Sequence, residues 1–160
     1  MEDMTPLGTP DEEFLLLDRQ ICFSLNAASR AFGSVYRIAL RELGLTYPQY
    51  LVMLVLWEHG ELPVKRIGEL LRLDSGTVSP LLKRLEAAGL VRRERLASDE
   101  RSVSVRLTPR GTALRAEARG VPRSIASATG LDLDEINELR SRLTRLTASL
   151  DRAAAEGLGG

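Results

Sequence analysis

Between Val64 and Leu107 helical spacing of apolar residues is interrupted by a tight turn and then gives way to period two, and few folds can accept such a stretch. Val64 to Leu71 carries helical spacing. Leu73-Asp74-Ser75-Gly76 then supplies the small polar residues of a tight turn. Asp74 or Ser75 caps a further helix to about Ala88, and Gly89 is its stop. After Gly89 the period drops to two. Leu90 to Leu96 and Ser102 to Leu107 alternate apolar and polar residues, with Ala97-Ser98-Asp99-Glu100 as a polar connection, which predicts a β-hairpin.

The flanks are helical. Phe14, Ile21, Ala28 and Val35 are spaced by seven, with Leu25, Phe32 and Ala39 filling the intervening apolar positions. One long helix is predicted from Asp11 to about Leu43, ending near Gly44. Thr46 is the expected N-cap of a second helix, with Pro48 in its first turn, running to about Glu58. Thr108-Pro109 opens a fifth helix to about Thr129. Asp132 to Ala155 forms a sixth, with Ile136, Leu139, Leu143, Leu146 and Leu150 at heptad-like spacing. Seams of this kind usually pack on a second helix, often from another chain. Residues 1–10 read as a flexible tail and residues 11–156 as a single domain. Its dimerisation helices would be 11–43 and 109–156, flanking a reading unit at 47–108.

Composition narrows the class. The chain has 160 residues, 44% apolar and 28% charged, enough for a core without staples. Its longest apolar run, Leu51 to Trp57, is too short to span a bilayer. The acidic N-terminus carries no signal-peptide stretch, and the single cysteine, Cys22, permits no internal disulfide, so a cytoplasmic location is expected. Net charge is zero, but the distribution is uneven. Lys83 to Arg106 holds seven basic residues against four acidic ones, while Met1 to Gln20 holds six acids and one base. Local density of one sign is what binds phosphates.

Helix, tight turn, helix and hairpin make a winged helix-turn-helix. The fold class is therefore mainly α with a small β-hairpin wing, and the partner is double-stranded DNA. In this arrangement the second helix enters the major groove by its N-terminal residues. Ser75, Gly76, Thr77 and Ser79 are small enough for close approach. Lys83 and Arg84 can reach phosphates or guanine edges, and Arg93 adds a cation on the first wing strand. Arg101, near the wing tip, can enter a minor groove, with Asp99 placed to orient its guanidinium. Taken alone, Asp99-Glu100-Arg101 would be a solvated turn.

The block LDSGTVSPLLKRLEAAGLVRRE, followed by SDERSVSVRLTPRG, resembles the MarR family of bacterial regulators over Leu43 to Thr108. That resemblance implies a homodimer held by terminal helices and a roughly palindromic operator. DRQICFSLNAASRAF, with LTYPQYLVMLVLWEHGELPVKRIGELLRLDSGTVSP, is similar to the OhrR branch, which senses organic hydroperoxides. The resemblance makes Cys22 the oxidised residue, and Tyr36 and Tyr47 its hydrogen-bonding partners from the other subunit. Asn26 departs from the branch, some members of which carry an aromatic residue there.

Residue spacing can be set beside that implication. Cys22 and Tyr36 stand two heptads apart, about 21 Å along a continuous helix at ~1.5 Å per residue. They meet only through an opposing helix, unless the helix breaks, for instance at Gly33. A thiolate attacks a peroxide O–O bond, and phenol donors favour the charged sulfur. Without a second cysteine in the chain, the sulfenic acid would condense with a low-molecular-weight thiol or over-oxidise. Read without the family, Cys22 is an inert packed residue and Tyr36, Tyr47 and Tyr50 are ordinary aromatics.

Three other readings stay open. One is a regulator of the same kind triggered by a small lipophilic or aromatic ligand, with Cys22 structural. Another is a thiol peroxidase, which would need multiple turnovers per cysteine. The third is an interaction module that has lost DNA binding. No cofactor or metal is expected: His59 is the only histidine and has no ligand cluster around it. Glu12-Glu13 and Asp132-Asp134-Glu135 fit helix starts better than acid/base chemistry. No phosphate-binding loop or nucleophile elbow occurs, so the chain reads as a regulator and not an enzyme.

Overall fold

The computed structural model describes residues 12–96 and 98–158, so the predicted tail at residues 1–10 lies outside the described residues. Among the described residues, seven α-helices and a three-stranded sheet follow in the order α1 (Ile21–Ala39), α2 (Tyr47–His59), β1 (Leu62–Pro63), α3 (Val64–Leu71), α4 (Ser75–Ala87), β2 (Val91–Leu96), β3 (Asp99–Leu107), α5 (Pro109–Ala118), α6 (Val121–Ala128) and α7 (Leu133–Glu156).

The predicted N-terminal helix is interrupted. Two 3-10 turns, Glu12–Leu15 and Leu17–Arg19, precede α1, and a third, Arg41–Leu43, follows it. Gln20 is the cause at the start. Its backbone is extended (φ −87°, ψ 114°), and its side-chain amide donates to the carbonyls of Phe14 and Leu16. Those carbonyls are thereby satisfied without a continuing helical ladder. The chain turns out of the third 3-10 segment at Gly44, whose φ of 68° suits glycine. Thr46 caps α2 as expected, in a capping box with Gln49.

The predicted fifth helix is two helices. Pro122, second in α6, has no N–H for the carbonyl of Ala118, so the helix breaks at Arg119-Gly120. The hairpin is longer than its alternation suggested, because β3 begins at Asp99 and pairs Leu96 with Asp99 across a bulge after Arg95. Leu62-Pro63 adds a short strand that sequence reasoning missed. It pairs antiparallel with Val105 and Ser104, giving the sheet order β1-β3-β2.

The core lies in the middle of the chain. Met53 and Leu56 of α2, Ile67 of α3, Val78, Leu82 and Leu85 of α4, and Val91 and Val105 of the sheet are essentially solvent-free. Each such side chain contributes about 1.5–3 kcal/mol through burial. Trp57 ties this body to α5 by donating from its indole Nε1 to the Gly111 carbonyl at 2.9 Å. By contrast, neither α1 nor α7 contains a buried residue, although both carry apolar rows. Among the described residues no helix is long and apolar enough to cross a membrane.

Candidate nucleic-acid interface and cysteine site

The helix-turn-helix corner is set by a glycine and an aspartate. Leu73 donates its N–H to the Gly68 carbonyl at 2.9 Å, folding the chain back at the end of α3. A Cβ on Gly68 would stand 2.7 Å from the Leu73 carbonyl oxygen, so only glycine lets the turn close this tightly. Asp74 accepts from the Thr77 N–H at 2.8 Å and caps α4. The Thr77 side chain first, and then its backbone N–H, hold the Asp74 carboxyl below the usual aspartate value.

On α4, Val78, Leu81, Leu82 and Leu85 face the core. Ser75, Gly76, Thr77, Ser79, Lys83 and Arg84 are all exposed on the outer side. A cleft of about 700 Å³ runs between this helix and the wing. Ser75, Ser79, Arg93 and Arg101 line it together, while Thr77, Lys83 and Arg84 lie outside its lining. Lys65 and Arg72 line it too. Neither was singled out from sequence, although Lys65-Arg66 at the start of an amphipathic helix was a visible basic pair. Asp99 opens β3, and its side chain lies outside the described residues.

Arg93 is held more firmly than a solvent-facing cation. Its backbone N–H donates to Glu86 Oε2 at 2.9 Å, and its guanidinium donates to Glu86 Oε1 at 3.3 and 3.1 Å. The last turn of α4 is thereby clamped to the first wing strand. The Arg93 N–H is the main cause of a Glu86 carboxyl held below its usual value. Arg106 pairs in turn with Glu94 across the wing at 2.8 Å.

Cys22 lies in the first turn of α1 and is exposed. Asn26, one turn later, donates from Nδ2 to its sulfur at 3.7 Å. Tyr36 lies at the other end of the same helix, which runs unbroken through Gly33. The phenols gather there. Ring centroids of Tyr36 and Tyr47 are 4.5 Å apart, and those of Tyr36 and Tyr50 are 5.9 Å apart. Burial, then the neighbouring Tyr47 and Tyr50, push the Tyr36 phenol above 10.0, so it is a protonated donor at neutral pH. Sequence reasoning had left Tyr50 as an ordinary aromatic, yet it is buried and completes this cluster. Cys22 and Tyr36 therefore lie at opposite ends of α1 and do not meet within one chain, and Tyr47 and Tyr50 of α2 gather at the Tyr36 end.

An apolar cavity of about 680 Å³ is lined by residues of α1, α2, α6 and α7, with Phe32, Tyr36, Tyr50, Leu54, Ile125 and Leu139 in its wall. Among the described residues no group of histidine, cysteine and acidic side chains could hold a metal ion.

Residues 45–103, which contain the corner, α4 and the start of the wing, match the MarR family. The HTH-type transcriptional regulator TtmR of Methylorubrum extorquens (strain PA1) is 48% identical over 151 residues, covering 94% of this chain and 76% of the relative. The organic hydroperoxide resistance transcriptional regulator of Bacillus subtilis (strain 168) is 43% identical over 138 residues, covering 86% of this chain and 94% of the relative. This chain belongs to the MarR family. The relatives that place it there are transcription regulators and not enzymes. A solved structure of reduced AbfR bound to DNA superposes with a TM-score of 0.76 at 36% identity, over 89% of this chain and 98% of that one. The fold of a MarR-family regulator is thus shared over nearly the whole chain.

Proposed function

We propose that this MarR-family chain is a dimeric, DNA-binding transcriptional repressor that senses organic hydroperoxides through Cys22 and then releases its operator. The observation that carries the reading is the position of Cys22. It is an exposed thiol in the first turn of a helix whose apolar residues Ile21, Phe23, Leu25 and Phe32 are also exposed within the single chain. An antiparallel copy of α1 would bring the Tyr36–Tyr47 pair of the second subunit toward it. The kinship with a hydroperoxide-resistance regulator supports the same assignment.

The chemistry balances in two steps. The Cys22 thiolate attacks the distal peroxide oxygen, the O–O bond breaks, and the organic hydroperoxide leaves as an alcohol after taking up a proton. The sulfur becomes a sulfenic acid. A low-molecular-weight thiol then condenses with it, forming a mixed disulfide and releasing water. Tyr36 and Tyr47 supply O–H donors to the sulfur. Asn26, already touching the sulfur within the chain, supplies a polar contact on the same side. A bulky adduct in a helical seam forces the two helices apart, and the reading heads move with them.

In the dimer the two α4 helices enter successive major grooves of a roughly palindromic operator. Ser75, Gly76, Thr77 and Ser79 face base edges, Lys83 and Arg84 the backbone, and Arg101, positioned with Asp99, the minor groove. Arg93 adds charge to the cleft while fixing the wing. A reducing cytoplasm suits both the thiol and the DNA target.

Fluorescence anisotropy on DNA from the region upstream of the chain's own gene tests the reading. Wild type and Cys22→Ser are each titrated before and after cumene hydroperoxide, with and without a small thiol. Both proteins bind the DNA before oxidation, and only the wild type releases it afterwards. Release by both proteins would remove Cys22 from the mechanism. The apolar cavity beside Tyr36 favours a second reading, in which a small lipophilic ligand is the trigger. In that case Cys22→Ser retains ligand-induced release.

A further inference from the structure

We propose that Arg72 and Asp151 form a strut that fixes the angle between each DNA-reading head and the dimerisation stalk, and so selects the half-site spacing this protein accepts. The inference rests on the dimeric DNA-binding reading above. Arg72 closes α3 and stands two residues before Asp74, the cap of α4. Among the described residues it is the one non-glycine with positive φ, at 58°. A left-handed conformation is unfavourable for a residue with a side chain and persists where surrounding contacts hold it.

The guanidinium reaches 79 residues along the chain. Nη1 donates to Asp151 Oδ2 at 2.9 Å, and Nη2 donates to Oδ1 at 2.8 Å. Among the described residues this is the one hydrogen-bonded contact that α7 makes to another helix or strand. Its remaining side-chain bonds stay within the helix or cap it: Arg142 to Glu138, Thr144 to the Arg140 carbonyl, Thr147 to the Leu143 carbonyl, and the capping box of Asp132 and Glu135. Beneath the strut lies an open cleft of about 530 Å³, walled by Arg72, Arg140, Leu143, Thr144, Ala148 and Asp151. Head and stalk are thus bridged across a gap and not packed together at this point.

Magnitude decides what the pair does. Both side chains are more than half exposed, at 64% and 53%. An exposed ion pair adds little to folding stability, because water and salt screen it. A two-bond fork does fix a direction, since both N–H groups must align with both carboxylate oxygens. The anchor lies at the corner that aims α4. In a dimer, a change of angle there alters the separation of the two recognition helices, and that separation must match a turn of DNA.

The test labels one position on each α4. Lys83→Cys in a Cys22→Ser background takes one spin label per subunit, and pulsed EPR reads the distance between the two heads. Arg72→Ala, Asp151→Ala and the reversed pair Arg72→Asp with Asp151→Arg are compared with that parent. The strut predicts a narrow distance distribution in the parent, a broad one in each single variant, and a narrow one again in the reversed pair. Unlabelled proteins with native Cys22 and Lys83 are then titrated with upstream duplexes whose central spacer is one base pair longer or shorter. Wild type loses about tenfold in affinity on such a change, within the range for one mismatched base pair, and the single variants lose markedly less. Single variants that keep the parental distribution and the spacing preference overturn the strut. A wild type that binds no duplex at any spacing overturns the DNA-binding reading itself, and the EPR arm still decides whether the strut holds the angle.

Discussion

Gly111 shows how much of this architecture hangs on single atoms. A Cβ there would fall on the carbonyl oxygen of Leu90, at the junction of wing and α5. The same residue's carbonyl receives the Trp57 indole, and its N–H donates to the Thr108 hydroxyl at 3.1 Å. Gly111→Ala must push α5 away from the sheet, and overpacking of this kind costs about 1–3 kcal/mol. Thermal unfolding should therefore show a clear fall in Tm, with far less effect from Gly120→Ala, where open space surrounds the added carbon. At the cysteine site the corresponding test is Tyr36→Phe. On the proposed mechanism, removing the phenol O–H would take one donor from the sulfur of the other subunit's Cys22, and the ring would stay packed against Tyr47 and Tyr50. Peroxide-induced DNA release should be several-fold slower at fixed peroxide, with reduced-state affinity unchanged. An unchanged release rate would take Tyr36 out of the chemistry.

Between elements, the contact that orders the DNA-facing surface is the Glu86 clamp. Glu86 ends α4 and grips β2 through the backbone and guanidinium of Arg93, so the wing's tilt is referred to the recognition helix. Its carboxyl lies below 4.5 in the folded protein, chiefly because the Arg93 N–H donates to it. The stabilisation is therefore fully present above 4.5 and is lost as pH falls through that value and then through the folded one. Glu86→Gln keeps an acceptor but removes the charge. Urea unfolding carried from neutral pH into the carboxylate range should show a shallower acid loss for Glu86→Gln than for wild type. At the wing itself, Arg101→Ala should weaken operator binding by about 1–3 kcal/mol at fixed salt if the side chain reads a groove. Equal affinities would remove it from the interface. Much of this was legible in the sequence. The switch from period 3.6 to period 2 located α4 and the wing, and Asp74 and Thr46 were recognisable caps. The clamp was not legible, because Glu86 and Arg93 are brought together by the turn at Gly89 and the register of β2, which no local pattern encodes. Nor was the break before α1, since it depends on the Gln20 side chain reaching back to two carbonyls. Leu62-Pro63 was too short to show any alternation. The heptads at both ends announced helices that need partners, but spacing alone could not reveal that Arg72 and Asp151 would meet.

For the whole molecule, the distribution of burial is the argument. The core belongs to α2 through β3, with contributions from α5 and α6, while α1 and α7 expose their apolar rows. Ile21 is 67% exposed, Leu150 is 58% exposed, and Phe23 and Leu139 are nearly half exposed. An apolar surface of this extent on two long helices is not stable against association in water. Burial of each such side chain returns about 1.5–3 kcal/mol before the costs of association. Both helices also face the cavity beside Tyr36, so one interface would cover the rows and wall the cavity together. A two-fold arrangement satisfies both chains with the same surface. The dimer is therefore expected to be part of the folded state, and monomers should not bind the operator well, because each contributes only one reading head. Leu25→Glu places a charge in the α1 row, at a position that is 37% exposed within one chain. Sedimentation velocity should show wild type as a dimer at micromolar concentration and Leu25→Glu as mostly monomer with unchanged helical circular dichroism. Its operator affinity should fall by more than tenfold, because half of the phosphate and base contacts are lost from each binding event. If Leu25→Glu stays dimeric, the α1 row does not form the interface, and the route from Cys22 to the tyrosines of a second subunit has to be abandoned with it.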